Sequence, residues 1–137
     1  MAVFVVDASV ALAWCFEDEA TIWSEGLLSR LRSGEQVAVP SHWPMEVSNG
    51  LLMAVRRKRI QPGNPEVLWD ELALLPITVE AAPNPNESKA VLSLCDKHNL
   101  TVYDASYLEL ALRKQLPLAT LDSDLRRAAG LEAIVLL

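Results

Sequence analysis

Five short apolar runs punctuate the chain: Ala2 to Val6, Gln36 to Val39, Ile77 to Glu80, Leu118 to Leu121 and Ala133 to Leu136. Their length and aliphatic, β-branched content predict strands. Between them apolar positions recur at helical spacing, which predicts helices over Ala8 to Phe16, Thr21 to Arg32, Trp43 to Lys58, Pro65 to Leu75, Glu87 to His98, Ala105 to Lys114 and Ser123 to Ala129. Strand and helix alternate. Strands that are apolar throughout and separated by helices form a parallel sheet covered on both faces, because each right-handed crossover lays a helix across it. The expected class is α/β, a three-layer sandwich around a parallel five-stranded sheet. Linker candidates such as Ser33-Gly34, Gln61 to Pro65 and Ala82 to Asn86 are short and no repeat is visible, so a single domain over residues 1–137 accounts for the chain.

Composition narrows the function classes. With 137 residues, 51% hydrophobic and 22% charged, the chain is long enough to bury a sizeable core without disulfides. A net charge of -6 argues against a nonspecific duplex-coating protein. The longest run free of Asp, Glu, Lys and Arg is Gln36 to Met45 and holds two prolines, whereas a membrane helix needs ~20 mostly apolar residues. No basic segment with a cleavage site precedes the first strand, so a cytoplasmic location is expected and no membrane partner. Cys15 and Cys95 lack paired spacing and read as buried small hydrophobes in a reduced compartment.

The chemistry-bearing residues are acids at the ends of elements. Asp7 closes the first strand in VVDASV and Asp122 the fourth in ATLDSDL, so both project from the carboxyl edge of a parallel sheet, where ligands bind in open α/β folds. Asp104 in VYDASY precedes a helix, and Glu46 in PMEVSNGLL lies in the first turns of another. Capping and helix-dipole compensation would explain each singly. They do not explain Glu46, the one charge in an otherwise apolar or neutral stretch from Gln36 to Val55. If the four converge, their mutual repulsion must be offset by shared protons or by a hard divalent cation, and an all-oxygen set suits magnesium or manganese.

At these residues the sequence resembles a known family. The strand ending in VVDAS, the helix carrying Pro44, Glu46, Val47 and Asn49, the segment YDASYLELA and the closing LATLDSDL are similar to the four signature blocks of PIN-domain ribonucleases, most of all the VapC-type toxins of toxin-antitoxin pairs. The blocks occur in family order across residues 2–137. The resemblance implies a sheet in the order 3-2-1-4-5. It makes Asp7, Glu46, Asp104 and Asp122 the catalytic and metal-binding acids, with Ser9 and Thr120 as supporting hydroxyls and Asn49 as a polar neighbour of Glu46. Asp124 is either a further acid of that set or a solvated first-turn residue.

The implied activity is metal-dependent endoribonuclease action as the toxin of a type II pair, with Mg2+ or Mn2+ as cofactor, RNA as substrate, a VapB-type antitoxin as partner and a homodimer as assembly. A water activated by cations needs no side-chain nucleophile, and neither His42 nor His98 completes a Ser-His-Asp or Cys-His arrangement. The run Arg56, Arg57, Lys58 and Arg59 is the one concentrated positive charge, and it either grips RNA backbone or compensates a helix dipole. Trp14, Trp23, Trp43 and Trp69 lie in helical apolar patterns and read as packing rather than stacking residues. Two rivals stand beside the nuclease. A catalytically silent α/β binding module would use the acids merely as caps. An aspartyl-phosphate phosphatase would need a second acid two residues after Asp7, where Ser9 stands.

Overall fold

Phe4, Val5 and Val6 have no exposed surface, which requires a strand covered on both faces and paired on both sides. In the computed structural model, which describes residues 1–137, β1 (Ala2–Val6) occupies that central position. It pairs in parallel with β2 (Gln36–Val39) on one side, Val5 opposite Ala38, and with β4 (Leu118–Ala119) on the other, Val5 opposite Leu118. β3 (Ile77–Val79) extends the far side of β2, so the order is β3-β2-β1-β4, all parallel. The helices are α1 (Ala8–Cys15), α2 (Ile22–Arg32), α3 (Trp43–Arg56), α4 (Asn64–Ala73), α5 (Pro85–His98), α6 (Val102–Lys114) and α7 (Ser123–Leu131), with a 3-10 turn at Glu17–Glu19.

The expected class therefore holds, with a correction to the strand count. The fifth run is reduced to a parallel bridge, Leu118 to Leu136, outside β4. α7 runs to Leu131 and Ala133 then takes a left-handed conformation at φ 59°, so only the last few residues are left to extend. They still close the edge: Leu118 N–H donates to Val135 O at 2.9 Å and Leu137 N–H to Leu118 O at 3.1 Å. β4 also stops two residues early, because the chain turns at Thr120 toward Asp7.

Local chemistry sets the helix ends. α2 and α5 begin with reciprocal capping boxes, Thr21 with Ser24 and Asn84 with Glu87. α5 and α6 stop at left-handed Asn99 and Gln115, and α3 stops at Arg56, before left-handed Lys58. α6 starts three residues earlier than the apolar pattern predicts, because Thr101 caps it by accepting the Asp104 N–H at 3.2 Å. One apolar cluster of 30 buried residues fills both sides of the sheet. Trp43 is buried against Trp69, edge to face at 5.7 Å, as a packing tryptophan should be. Both cysteines are free and only half-buried, more exposed than their apolar context predicts.

Candidate active site

The carboxyl edge of the sheet is built around Asp7. Being the first residue after β1, it caps α1 by accepting the Val10 N–H, and its carboxylate is nearly buried. The Ser9 hydroxyl donates to Asp7 Oδ1 at 2.5 Å, and the Thr120 hydroxyl donates to Asp7 Oδ2. Those two hydroxyls also accept from the neighbouring chain: Ser9 Oγ from Leu121 N–H and Thr120 Oγ1 from Asp122 N–H, each at 3.0 Å. The ends of β1 and β4 are thus locked together through side chains. Asp122 is held one step further along, capping α7 by accepting the Leu125 N–H on Oδ1 at 2.8 Å, with Oδ2 left free. Both capping roles anticipated for the Asp pair are real.

Glu46 and Asp104 are not caps. Glu46 projects from the first turns of α3, where Tyr107 Oη donates to its Oε1 at 2.6 Å. His42 Nε2 stands 2.9 Å from the same oxygen, without the alignment of a hydrogen bond. Burial alone would raise the Glu46 carboxyl, but the His42 and Tyr107 contacts outweigh it and hold the group below its ordinary value. Oε2 has no protein partner. Asp104 is the third residue of α6 rather than the residue before it, and is half-buried.

Electrostatics links the acids in pairs: Glu46 bears on Asp7 and on Asp104, and Asp122 bears on Asp104. Burial pushes the Asp7 carboxyl up to about 6 against the pull of Ser9, Thr120 and Val10, and the charge of Glu46 adds to the rise. Asp104 is raised first by burial and then by Asp122 and Glu46, with a smaller push from Asp124. Asp7 and Asp104, the two acids raised by burial and by neighbouring carboxylates, would be relieved by a cation bound beside them. No three His, Cys, Asp or Glu side chains stand ready to enclose an ion. Magnesium does not require that, because it keeps several waters and takes as few as one or two carboxylates from a protein. The donor set therefore fits a hydrated hard cation.

The remaining anticipated residues divide. Ser9 and Thr120 sit in the site as supports. Asn49 is exposed one turn beyond Glu46 and its side chain makes no hydrogen bond. Asp124 is 72% exposed beside Arg127 at 3.8 Å, yet close enough to influence Asp104. Arg56, Arg57 and Lys58 are exposed and unpaired, whereas Arg59 is committed to Asp18 and Glu19, both at 3.0 Å, over the Phe16 ring. Tyr107 carried no expectation and His42 none as a neighbour of an acid, while Arg126, which with Arg127 admits the same RNA-gripping or dipole-compensating readings as the other basic pairs, donates to Thr120 O at 3.0 Å. The i+3 spacing of Tyr107 from Asp104, on the same helical face, was the available signal for the tyrosine.

The PIN domain family model matches residues 4–131. A crystal structure of PAE2754 from Pyrobaculum aerophilum superposes with a TM-score of 0.72 at 23% identity, covering 93% of this chain and 84% of its own. A toxin-antitoxin complex from Klebsiella pneumoniae gives 0.66 at 16% identity over 96% and 95% of the two chains. The Mycobacterium tuberculosis toxin VapC20, described as cleaving the sarcin-ricin loop, gives 0.64 at 16% over 91% and 94%. These likenesses carry the fold. No curated protein matches in sequence. With the family model spanning residues 4–131, nearly the whole chain, this chain belongs to the PIN domain family.

Proposed function

We propose that this chain is a metal-dependent endoribonuclease, a single PIN domain over residues 1–137 that acts in the cytoplasm as the toxin of a type II toxin-antitoxin pair. The observation that carries the reading is that the charge of Glu46 bears on both Asp7 and Asp104, and that of Asp122 on Asp104, although the four come from separate elements. A silent module accounts for Asp7 and Asp122 as caps and for Glu46 and Asp104 as first-turn acids, but not for the charge of Glu46 reaching both Asp7 and Asp104 from another helix.

Those four acids would hold Mg2+ or Mn2+, which when bound supplies an activated water and neutralises charge at a scissile phosphodiester. The chain's own contribution is orientation. Ser9 and Thr120 fix both oxygens of Asp7, Tyr107 fixes Glu46 through Oε1, and Leu125 N–H fixes Asp122 through Oδ1. Glu46 Oε2 and Asp122 Oδ2 are left with their lone pairs free to take a cation. The Tyr107 phenol is driven far above its ordinary value by burial and by Glu46, so it remains a donor at any working pH.

The partners follow from the same surface. An anionic pocket attracts a cationic side chain, so a VapB-type antitoxin that inserts Arg or Lys among the carboxylates would compete with the cation. The Klebsiella pneumoniae likeness, a toxin-antitoxin complex, supports this reading. Exposed Ile22, Val67 and Leu74 on or just beyond α2 and α4 give a homodimer apolar surface to cover. Purified protein should cleave RNA with magnesium or manganese and stop with chelator or with Asp7→Asn. Full-rate cleavage under either condition would falsify the metal mechanism. Rising magnesium should weaken antitoxin inhibition, and sedimentation at micromolar concentration should show a dimer.

A further inference from the structure

Beside the carboxylates the surface dips into a cavity of about 190 Å3. It adjoins the site through two residues. His42, in its wall, is the residue 2.9 Å from Glu46, and Tyr103, also in its wall, immediately precedes Asp104. Pro40 and Pro83 supply flat apolar surface, while Ser106 and Arg113 place polar atoms in the lining.

Tyr103 is the unusual member. The other tyrosine of α6, Tyr107, is buried and bonded to Glu46, whereas Tyr103 leaves 60% of its surface in solvent and its hydroxyl makes no hydrogen bond. Its ring is steadied by His42, with centroids 5.4 Å apart at a 54° tilt. An exposed aromatic ring with an aromatic neighbour can serve as a stacking platform, and base stacking on aromatic side chains is the common way to hold unpaired nucleotides. The cavity is smaller than the roughly 300–1,000 Å3 of sites for drug-sized ligands, which matches one planar ring system rather than a whole nucleotide. Glu80 is paired with Lys114 and Glu109 with Arg113, so the lining leaves no free cation to hold a phosphate there. Glu109 is buried and bonded through both oxygens to Arg113, which also meets Glu87 at 3.1 Å, so the cavity selects by shape and stacking.

We propose that this cavity receives one nucleobase of the RNA, adjacent to the scissile phosphate and stacked on Tyr103, and so sets base preference at that position. The proposal rests on the ribonuclease reading of the neighbouring acids. Randomised single-stranded RNA is digested with magnesium or manganese by the wild-type chain, Tyr103→Ala, Tyr103→Leu and Tyr103→Phe, and the new ends are sequenced. Wild type and Tyr103→Phe should share a base bias at one position beside the cut. Tyr103→Ala and Tyr103→Leu should flatten that bias and raise KM roughly 5- to 150-fold, the worth of one stacked base, with kcat little changed. In an Asp7→Asn background, where RNA is bound but not cut, fluorescence anisotropy of labelled RNA should show the same loss for Tyr103→Ala.

An unaltered bias and KM in both non-aromatic variants overturns the proposal and leaves the nuclease intact. That result would also follow if the cavity served an antitoxin side chain instead. A wild-type chain that cuts no RNA with either metal overturns the nuclease reading, and this proposal with it. Tyr103 lies on the surface, so the variants should melt with the wild type, and the Leu variant preserves bulk should Ala fail to fold.

Discussion

Tyr107 Oη donates to Glu46 Oε1 at 2.6 Å, joining α6 to α3 across 61 residues of sequence. The bond makes Tyr107 a positioning residue for an acid it does not resemble chemically. Tyr107→Phe keeps the ring in the core and removes only the donor, leaving Glu46 with the His42 contact. Loss of a buried hydrogen bond to a charged group costs about 1.5–3 kcal/mol, and partial solvent access at Glu46 should bring the effect to the lower end. Magnesium affinity by calorimetry should fall as Oε2 loses its fixed direction, while Asp7→Asn in the same assay should fall further. A Phe variant with unchanged metal affinity would show that Tyr107 is packing alone.

Asp7 makes a prediction with an unusual sign. Its carboxyl is raised to about 6 in the folded chain from 3.8, chiefly by burial, so between those values the folded state holds more protons than the unfolded one. In chelator, stability attributable to Asp7 should therefore increase as the pH falls from about 6 toward 3.8, and should be absent above 6. Asp7→Asn places a neutral residue there permanently and preserves the cap of α1, since Asn is as good an N-cap as Asp. Denaturant titration should find Asn the more stable by roughly 1–3 kcal/mol at pH 8, with the gap closing by pH 4. Magnesium should reverse the order by stabilising only the wild type. An Asn variant weaker than wild type at pH 8 without metal contradicts the argument.

Most of this site was legible because strand-end acids are local signals. VVDAS places Asp7 at the end of a buried run, and LATLDSD places Asp122 similarly, so both positions follow from a few residues of context. Asp104 was displaced by one helical turn, because apolar periodicity begins at Ala105 whereas the backbone obeys the Thr101 cap. The fifth strand dissolved into a bridge for a reason no hydropathy pattern contains, the left-handed Ala133. His42 and Tyr107 were illegible as a pair: their meeting at Glu46 depends on how α6 lies against α3, which is tertiary information.

Gly50, one turn after Glu46, allows α1 to approach α3. A Cβ there would stand 2.4 Å from Leu12 Cδ1 and 3.2 Å from its Cγ, so the whole isobutyl group must give way. Ala is favoured over Gly in a helix interior by about 1 kcal/mol, while overpacking costs about 1–3 kcal/mol. The clash involves the branch point, so Gly50→Ala should be destabilising on balance, and adding Leu12→Ala should recover part of the loss. Urea titrations of both single variants and the double give the coupling directly. A Gly50→Ala chain more stable than wild type would mean that Leu12 moves freely.

The basic run after α3 separates into one structural and three available cations, which composition does not distinguish. Arg59 bonds Asp18 and Glu19 and lies over Phe16 at 4.5 Å, pinning the 3-10 turn to the end of α3. Arg56, Arg57 and Lys58 have no acidic partner and protrude into solvent. If they meet RNA backbone, each contact to a single strand contributes a slope of about -0.7 to the dependence of log affinity on log salt. Replacing all three by Ala should therefore reduce the slope by up to about 2 and weaken binding across all RNA sequences alike. Arg59→Ala should leave that slope unchanged and instead lower the melting temperature slightly, since so exposed a pair is weakened by solvent screening. The measurement is RNA affinity over a salt series in the Asp7→Asn background, with thermal melts alongside. A triple variant whose slope equals that of wild type would return Arg56, Arg57 and Lys58 to the role of dipole-compensating residues at a helix end.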